Sequence, residues 1–148
     1  MYGPNTRKLL SNISDDDFSN EGIKFSHGKK VNIDGIDVWA QRLSYVGEIG
    51  FELYVKIDDS KKLFLTIVNE GKNHNLSLCG AHAMDIMRME SGFLHWGHDI
   101  SPEENQYQAG LKFTISYKKN VHFIGKDALL KIKDKPLDKT MMMFALKD

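Results

Sequence analysis

Hydrophobic and polar residues alternate with a period of two along residues 30–57, more regularly than anywhere else in the chain. Alternation of this kind is typical of β-strands that bury one face. Asp34-Gly35, between two isoleucines, predicts a two-residue hairpin because glycine tolerates the positive φ of such a turn. A second strand–turn–strand pattern follows in residues 42–55, where two glycines interrupt the alternation. The pattern therefore predicts a three-stranded antiparallel meander over residues 30–57.

Four segments carry apolar residues at helical spacing. They are residues 3–13, 60–70, 80–91 and 125–132. Ser60 is a suitable N-cap for the second segment, and Gly71 is well placed to end it. The third segment has a wide apolar face with three methionines, for which core packing is favoured over a soft ligand-binding wall. Helices packed on one face of an antiparallel sheet give an α+β fold.

Two further strands are predicted toward the C-terminus, in residues 109–117 and 140–146. A strand needs neighbours, and only two residues follow the second one. We therefore expect a central α+β domain over residues 1–117. Residues 118–148 are expected to hold a connecting helix and the first strand of a further domain that this chain does not complete.

Charge and composition narrow the class of protein. The 148 residues contain 20 basic and 20 acidic side chains that are spread along the sequence, so no nucleic-acid surface is predicted. A single cysteine, Cys79, excludes an internal disulfide framework and suits a reducing compartment. No apolar run is long enough to span a membrane, and the N-terminal residues lack the apolar core of a signal peptide. The cytoplasm is the expected compartment, with no membrane partner.

Two groups of residues resemble metal ligands without having the spacing of a site. His95 and His98 are three residues apart, but Gly92 and Gly97 interrupt the helix that such a pair would use. The acidic residues 15–17 have no downstream carboxylate at the spacing of a calcium loop. No metal site is predicted. Histidines with protein partners in a tight connection, and a solvated acidic turn, are favoured instead.

Residues 42–55 also carry the best candidates for chemistry, which are two glutamates and two tyrosines. A carboxylate on a mostly apolar strand needs a partner or a ligand, because burying it alone is costly. From the strand pattern alone, Glu52 is favoured to form an ion pair with Arg42 or Lys56 across the meander. Glu48 falls in the turn, where a turn-stabilising role is favoured.

Five phrases of the sequence occur in the order found in one enzyme family. They are GPNTRKLL, SYVGEIGFELYV, CGAHAMDIMRMESGFLHWGHDI, QAGLKFTI and FIGKDALL. Together they resemble the glycine cleavage T-protein (aminomethyltransferase) family of tetrahydrofolate-dependent enzymes. The match covers nearly the whole chain but only the middle of a family member. The phrase HWGHDI is similar to the folate-binding portion of dimethylglycine and sarcosine dehydrogenases.

The resemblance implies transfer of a one-carbon unit to tetrahydrofolate, and it implies that the domain beginning in residues 118–148 is a small C-terminal β-barrel. In the family, the tyrosine and the second glutamate of the Y-x-G-E-x-G-x-E phrase contact the folate, and Tyr45 and Glu52 match them. A fixed carboxylate suits the amino group and ring N–H donors of a pterin, and tyrosine offers an aromatic face with a polar tip. Met84 stands where many members carry a folate-binding arginine, and a thioether cannot supply that bidentate charged contact.

The family's catalytic aspartate lies upstream of the GPNTR phrase, so no catalytic residue is expected within this chain, and the chain alone is expected to be inactive. The expected partners are the remaining N- and C-terminal segments of the parent protein and a one-carbon donor, either a small molecule or carrier-bound. Two alternatives stay open. One is the folate-binding end of a flavin-linked dimethylglycine or sarcosine dehydrogenase, and the other is a non-catalytic folate-binding module.

Overall fold

The computed structural model of the chain describes residues 1–147. Within that range the helices and strands are α1 (Thr6–Ile13), β1 (Gly28–Ile33), β2 (Ile36–Gln41), β3 (Glu52–Tyr54), α2 (Ile57–Gly71), α3 (Ala81–Glu90) and α4 (Lys126–Ile132). Short 3-10 turns occupy Lys72–His74 and Lys112–Thr114. The described chain divides into two compact units, Met1–Phe93 and the residues from Leu94 onward. The predicted domain boundary between residues 117 and 118 stays a prediction.

The three strands form one antiparallel sheet in the order β1-β2-β3. Asp34 and Gly35 connect β1 to β2 with φ values of 49° and 77°, and Ile33 pairs directly with Ile36 across the turn. Positive φ at both central residues is the geometry that a two-residue hairpin requires. The meander and the α+β class predicted from the sequence are therefore confirmed.

The loop between β2 and β3 is longer than the alternation predicts. Strand β2 ends at Gln41, and residues 42–51 form a loop instead of a continued strand. The N-terminal residues pair with the end of this loop: Gly3 N–H donates to the Ile49 carbonyl at 2.8 Å, and Phe51 N–H donates to the Met1 carbonyl at 2.9 Å. The predicted strand through Tyr45 is therefore wrong: backbone pairing ends at Arg42, which bonds to Ser26 and His27, and resumes with the N-terminal residues at Ile49.

The core of the first unit lies between the sheet and the helices α1 and α2. Its buried members come from both strands of the hairpin, from both helices and from the connecting segments. They are Leu10, Phe18, Ile23, Val31, Ile33, Ile36, Val38, Ala40, Phe51 and Leu63. Phe51 is fully buried and meets Phe18 edge to face, with 5.5 Å between the ring centroids. The helices thus cover one face of the sheet, while Trp39 and Tyr54 on the other face remain 43% and 56% exposed.

Helix α3 does not bury the apolar face that its sequence predicts. Its apolar residues are largely exposed: 38% for Met84, 54% for Ile86 and 51% for Met89. The prediction that this face packs in the core is therefore wrong for the described residues. The buried residue of the helix is Arg88, with 2% exposure. The buried side chain of this helix is therefore a guanidinium that hydrogen-bonds within the helix and to the turn after it, and not a member of the apolar stripe.

The acidic residues 15–17 form the predicted turn, but one of them has a structural role. Asp16 Oδ2 accepts the Asn32 N–H of β1 at 2.7 Å, and Asp16 Oδ1 lies 3.2 Å from Lys29 Nζ. The Asn32 backbone bond, and then Lys29, hold the pKa of Asp16 below its ordinary value. Asp16 therefore fastens the turn to the outer strand of the sheet.

The second unit contains α4 and a set of turns. Tyr107, Ala109 and Leu129 are buried in it, and α4 confirms the helix predicted for residues 125–132. The strand predicted over residues 109–117 is wrong. Gly110 has a φ of 72°, and the donors there are satisfied within turns, as in the bond from Leu111 N–H to the Gln106 carbonyl.

Residues 140–146 do not form the strand predicted for the start of a β-barrel. In this segment Met141 N–H donates to the Gln108 carbonyl at 2.7 Å, but no described segment lies beside it as a strand partner. A strand without a neighbour leaves its backbone groups unpaired and is not stable alone. Among residues 1–147, no helix combines the length and apolar character needed to cross a bilayer.

Candidate functional site

Glu52 begins β3 and lies opposite Gln41 of β2 in the antiparallel register. Its side chain shares a strand face with Tyr54, two residues further on, because side chains alternate along a strand. The Tyr54 hydroxyl donates a 2.5 Å hydrogen bond to Oε2 of Glu52. The predicted carboxylate thus lies on the face of the sheet that the helices do not cover, with a tyrosine as its partner.

The ion pair favoured for Glu52 from the strand pattern does not form within residues 1–147. Arg42 lies past the end of β2, and its Nη1 donates to the Ile23 carbonyl at 3.0 Å. Lys56 is exposed and precedes the first turn of α2. Glu52 accepts its hydrogen bond from the Tyr54 phenol. The Met1 ammonium donates to the Phe51 carbonyl, and the charge of Glu52 opposes the burial that lowers the pKa of that ammonium.

The charge of Glu52 affects the neighbouring phenols. The hydrogen bond to Glu52, followed by the charge of that carboxylate, raises the pKa of the exposed Tyr54 hydroxyl. Burial, followed by the charge of Glu52, raises the pKa of Tyr2. Since an ordinary tyrosine has a pKa of about 10, both phenols stay protonated at neutral pH. Tyr54 therefore remains a hydrogen-bond donor to the carboxylate.

Tyr45 lies in the loop of residues 42–51 and is half-buried. Its ring packs against Phe93 with 6.2 Å between centroids and a 36° angle between the planes. The same loop is attached to the end of α3 by Ser91 Oγ, which donates to the Val46 carbonyl at 2.9 Å. Gly47, with a φ of 79°, allows this approach, since a Cβ there would lie 2.3 Å from Ser91 Oγ.

Arg88 supports the Phe93 side of this contact. Its Nε donates to Asp85 Oδ1 at 2.7 Å, three residues earlier on the helix, and its Nη1 donates to the Phe93 carbonyl at 3.1 Å. Phe93 N–H in turn donates to the Arg88 carbonyl at 2.9 Å. Arg88 therefore fixes the chain turn that carries the ring packed on Tyr45.

The two predicted site residues are held by different parts of the first unit. Glu52 is fixed by the strand and by Tyr54, whereas Tyr45 is fixed by the α3 terminus through Phe93. The sequence reasoning missed Tyr54 and Arg88 as supports. Tyr54 could have been found from its position two residues after Glu52, which places both side chains on one strand face. No local pattern marks Arg88 as buried.

The histidines considered as metal ligands stack on each other. The rings of His95 and His98 are 5.6 Å apart and 14° from parallel. His98 Nδ1 lies 3.9 Å from Asp99 Oδ1, and His95 N–H donates to Asp99 Oδ2 at 2.8 Å. Within residues 1–147, no group of three or more metal-ligating side chains is arranged around a common point.

Comparison with known proteins gives the family. The family described as "GCVT N-terminal domain" matches residues 1–119. The chain is 43% identical over its whole length to 4-methylaminobutanoate oxidase (formaldehyde-forming) of Paenarthrobacter nicotinovorans, covering 18% of that protein. It is 36% identical over 99% of its length to human mitochondrial dimethylglycine dehydrogenase, covering 17% of that protein.

A solved structure supports the same assignment. The crystal structure of the glycine cleavage system aminomethyltransferase T from Bartonella henselae superposes with a TM-score of 0.73 and 25% sequence identity, over 90% of this chain and 35% of that one. The chain spans about a fifth of the length of the curated relatives named here. The resemblance inferred from the sequence phrases is confirmed: the chain belongs to the GCVT family, whose members include the aminomethyltransferases of the glycine cleavage system.

Proposed function

We propose that this chain forms part of a domain that transfers a one-carbon unit to tetrahydrofolate, and that Glu52 and Tyr45 contact the folate. The observation that carries the proposal is the placement of Glu52 on the uncovered face of the sheet in a member of the GCVT family. A half-buried carboxylate whose hydrogen-bond donor is a neutral phenol keeps its negative charge available to a ligand with N–H donors.

The residues present fit tetrahydrofolate chemically. A carboxylate has about four acceptor positions on its two oxygens, and the Tyr54 hydroxyl uses one of them on Oε2. Glu52 can therefore accept the amino and ring N–H groups of a pterin together. Tyr45 offers a half-buried aromatic ring held against Phe93. When bound, tetrahydrofolate supplies the nitrogens that receive the one-carbon unit.

The role of this chain is then to bind and orient the folate. The charged oxygens of Glu52 accept hydrogen bonds from the pterin N–H groups and so fix the pterin. The Tyr45 ring contacts the pterin and limits where the pterin can lie. Met84 is 38% exposed and, as a thioether, forms no ionic contact. The folate contact that many relatives make with arginine at this position is absent, so binding depends more strongly on Glu52.

Substitution of Glu52 tests the proposal in the full-length protein that contains this chain. Glu52→Ala is expected to weaken tetrahydrofolate binding by about 1.5–3 kcal/mol, or about 10- to 150-fold in Kd, since a hydrogen bond to a charged group is lost. Isothermal titration measures this change. Glu48→Ala is the matched control, because Glu48 is an exposed carboxylate in the neighbouring loop. Equal affinities for Glu52→Ala and the wild type would refute the role of Glu52.

A second candidate function concerns the whole parent protein. Two relatives of this chain are a formaldehyde-forming 4-methylaminobutanoate oxidase and a dimethylglycine dehydrogenase. This observation favours a parent protein that demethylates an N-methyl amine and delivers the carbon to the folate domain. The alternative is a free-standing transferase with a carrier-bound donor.

The absorption spectrum and the donor requirement of the purified parent protein distinguish the two candidates. Bound flavin, with consumption of an N-methyl amine and less free formaldehyde when tetrahydrofolate is added, is expected for the demethylating protein. Absence of flavin, together with turnover of a carrier-bound donor alone, would establish the free-standing transferase.

A further inference from the structure

The hydrogen bond between Tyr54 and Glu52 lies on the uncovered face of the sheet, where it does not contribute to the core. Tyr54 is 56% exposed and Glu52 is half-buried, so neither side chain is enclosed by apolar packing. The core members of this part of the chain, such as Phe51, belong to the opposite side. The bond therefore has little value for folding, since exposed polar pairs contribute weakly to stability.

The bond does restrict the orientation of the carboxylate. A glutamate side chain has three rotatable bonds, and its terminal torsion is broad and poorly fixed on its own. The Tyr54 hydroxyl binds Oε2 at 2.5 Å, and both residues project from the same short strand. Two points of attachment, the strand backbone and the phenol, thus define the plane of the Glu52 carboxylate.

The neighbouring strand supports this arrangement. Trp39 lies opposite Tyr54 and Gln41 lies opposite Glu52 in the register. Trp39 Nε1 donates to Gln41 Oε1 at 3.2 Å, and Gln41 Nε2 donates to the Ser26 carbonyl at 3.2 Å. Trp39 therefore donates to Gln41 within β2, and Gln41 donates to Ser26 ahead of β1, whereas the donor to the Glu52 carboxylate is the Tyr54 hydroxyl.

We infer that Tyr54 is a positioning residue for the folate site: it holds the Glu52 carboxylate in the orientation that receives the pterin N–H groups. The inference depends on the proposed function, because it concerns the same ligand. A carboxylate that is already oriented loses less conformational freedom when the ligand binds, and this preorganisation increases affinity. The raised pKa of the Tyr54 hydroxyl keeps it a donor throughout the neutral range.

The substitution Tyr54→Phe removes the hydroxyl and keeps the ring. In the full-length protein it is expected to raise the Kd of tetrahydrofolate, measured by isothermal titration, about three- to tenfold, the range of one net hydrogen bond in a partly exposed position. Tyr2→Phe is the matched control, because Tyr2 senses the Glu52 charge but forms no hydrogen bond with it within residues 1–147. Circular dichroism and the thermal midpoint are expected to be unchanged in both variants.

A double-mutant cycle separates positioning from a structural effect. If Tyr54 acts through Glu52, Tyr54→Phe has no further effect on folate affinity in the Glu52→Ala background. An equal loss in both backgrounds would overturn the inference, because Tyr54 would then act independently of the carboxylate. Wild-type affinity in Tyr54→Phe, with weak binding in Glu52→Ala, would also overturn it while the proposed function stands. Wild-type affinity in Glu52→Ala would refute the proposed site itself.

Discussion

Replacement of Arg88 by methionine is the most informative perturbation outside the proposed folate contacts. Arg88 is 2% exposed, and its guanidinium binds both Asp85 on its own helix and the Phe93 carbonyl beyond the helix end. Methionine retains an unbranched side chain of similar reach, so Arg88→Met removes the charge and the donors with little loss of volume. The variant therefore tests the hydrogen bonds of the guanidinium.

The expected cost follows from what each partner loses. Breaking a buried charge pair typically costs 3–5 kcal/mol, but the Asp85 side chain is 44% exposed and regains water when Arg88 is removed. The Phe93 carbonyl loses a hydrogen bond from a charged donor, which contributes about 1.5–3 kcal/mol and is the main part of the cost. We expect Arg88→Met to destabilise the turn at residues 91–93 by about 3 kcal/mol, while the rest of the unit stays folded.

Hydrogen exchange of the full-length protein, followed by mass spectrometry, measures this local cost. The Phe93 amide, bonded to the Arg88 carbonyl, is expected to exchange about a hundred times faster in Arg88→Met than in the wild type. Arg7→Met is the matched control, because Arg7 donates to Asn20 Oδ1 in an exposed pair, and its effect is expected to stay within about 1 kcal/mol. Amides of β2 serve as the internal reference.

Two results would refute the reasoning. Unchanged exchange at residues 91–93 in Arg88→Met would mean that the guanidinium does not fix this turn. Equal acceleration in α3 and in the sheet would mean that Arg88 stabilises the whole unit and has no specific role near Phe93. In either case, the conclusion that Arg88 supports Tyr45 through the Phe93 ring would be wrong.

The remaining predictions concern the fold that holds the site. Phe51→Ala should lower the free energy of unfolding by about 3–5 kcal/mol in urea titrations, because removing a fully buried ring leaves a cavity. Phe113 is 83% exposed, so Phe113→Ala should change this free energy by no more than about 0.5 kcal/mol. The Asn32 N–H and Lys29 lower the pKa of Asp16 in the folded protein. The ionised carboxylate therefore stabilises the folded state at pH values above the unfolded-state pKa of about 3.9. This stabilisation is lost as the pH falls through the lower folded-state pKa. The difference in free energy of unfolding between wild type and Asp16→Asn should therefore be constant near neutral pH and should disappear in acid. A difference that persists at the lowest pH would contradict the role given to the Asp16 carboxylate.

The sequence predicted those parts of the fold that depend on local interactions. Asp34-Gly35 marks a turn whose positive φ values only a few residue types adopt, and the structure has both values. Helix α2 begins at Ile57, three residues before the predicted start, because Asp58 and Asp59 occupy its first turn in place of the predicted cap at Ser60. Local propensity was sufficient for these elements to be identified, although not for their ends.

The errors fall where distant segments determine the outcome. The alternation that extended to Tyr45 could not reveal that strand pairing ends at Arg42, or that residues 1–3 pair with residues 49–51. In α3 the apolar stripe predicted burial, but the buried side chain is Arg88, whose partners include the carbonyl of a residue beyond the helix. Period-based reasoning does not detect contacts of either kind, because both depend on residues outside the periodic segment.

The same distinction separates the two halves of the candidate site. Glu52 lies on a strand, next to the tyrosine that binds it, so its place on the sheet follows from the local alternation, while its contact with folate stays a prediction. Tyr45 lies in a loop that is positioned from a distance, by Ser91 and by Phe93 at the end of α3. A strand-held group moves little, whereas a loop-held group depends on the stability of what it packs against. We therefore expect the carboxylate to be the fixed reference of the proposed folate site, and the position of Tyr45 to depend on the Phe93 turn that Arg88 hydrogen-bonds.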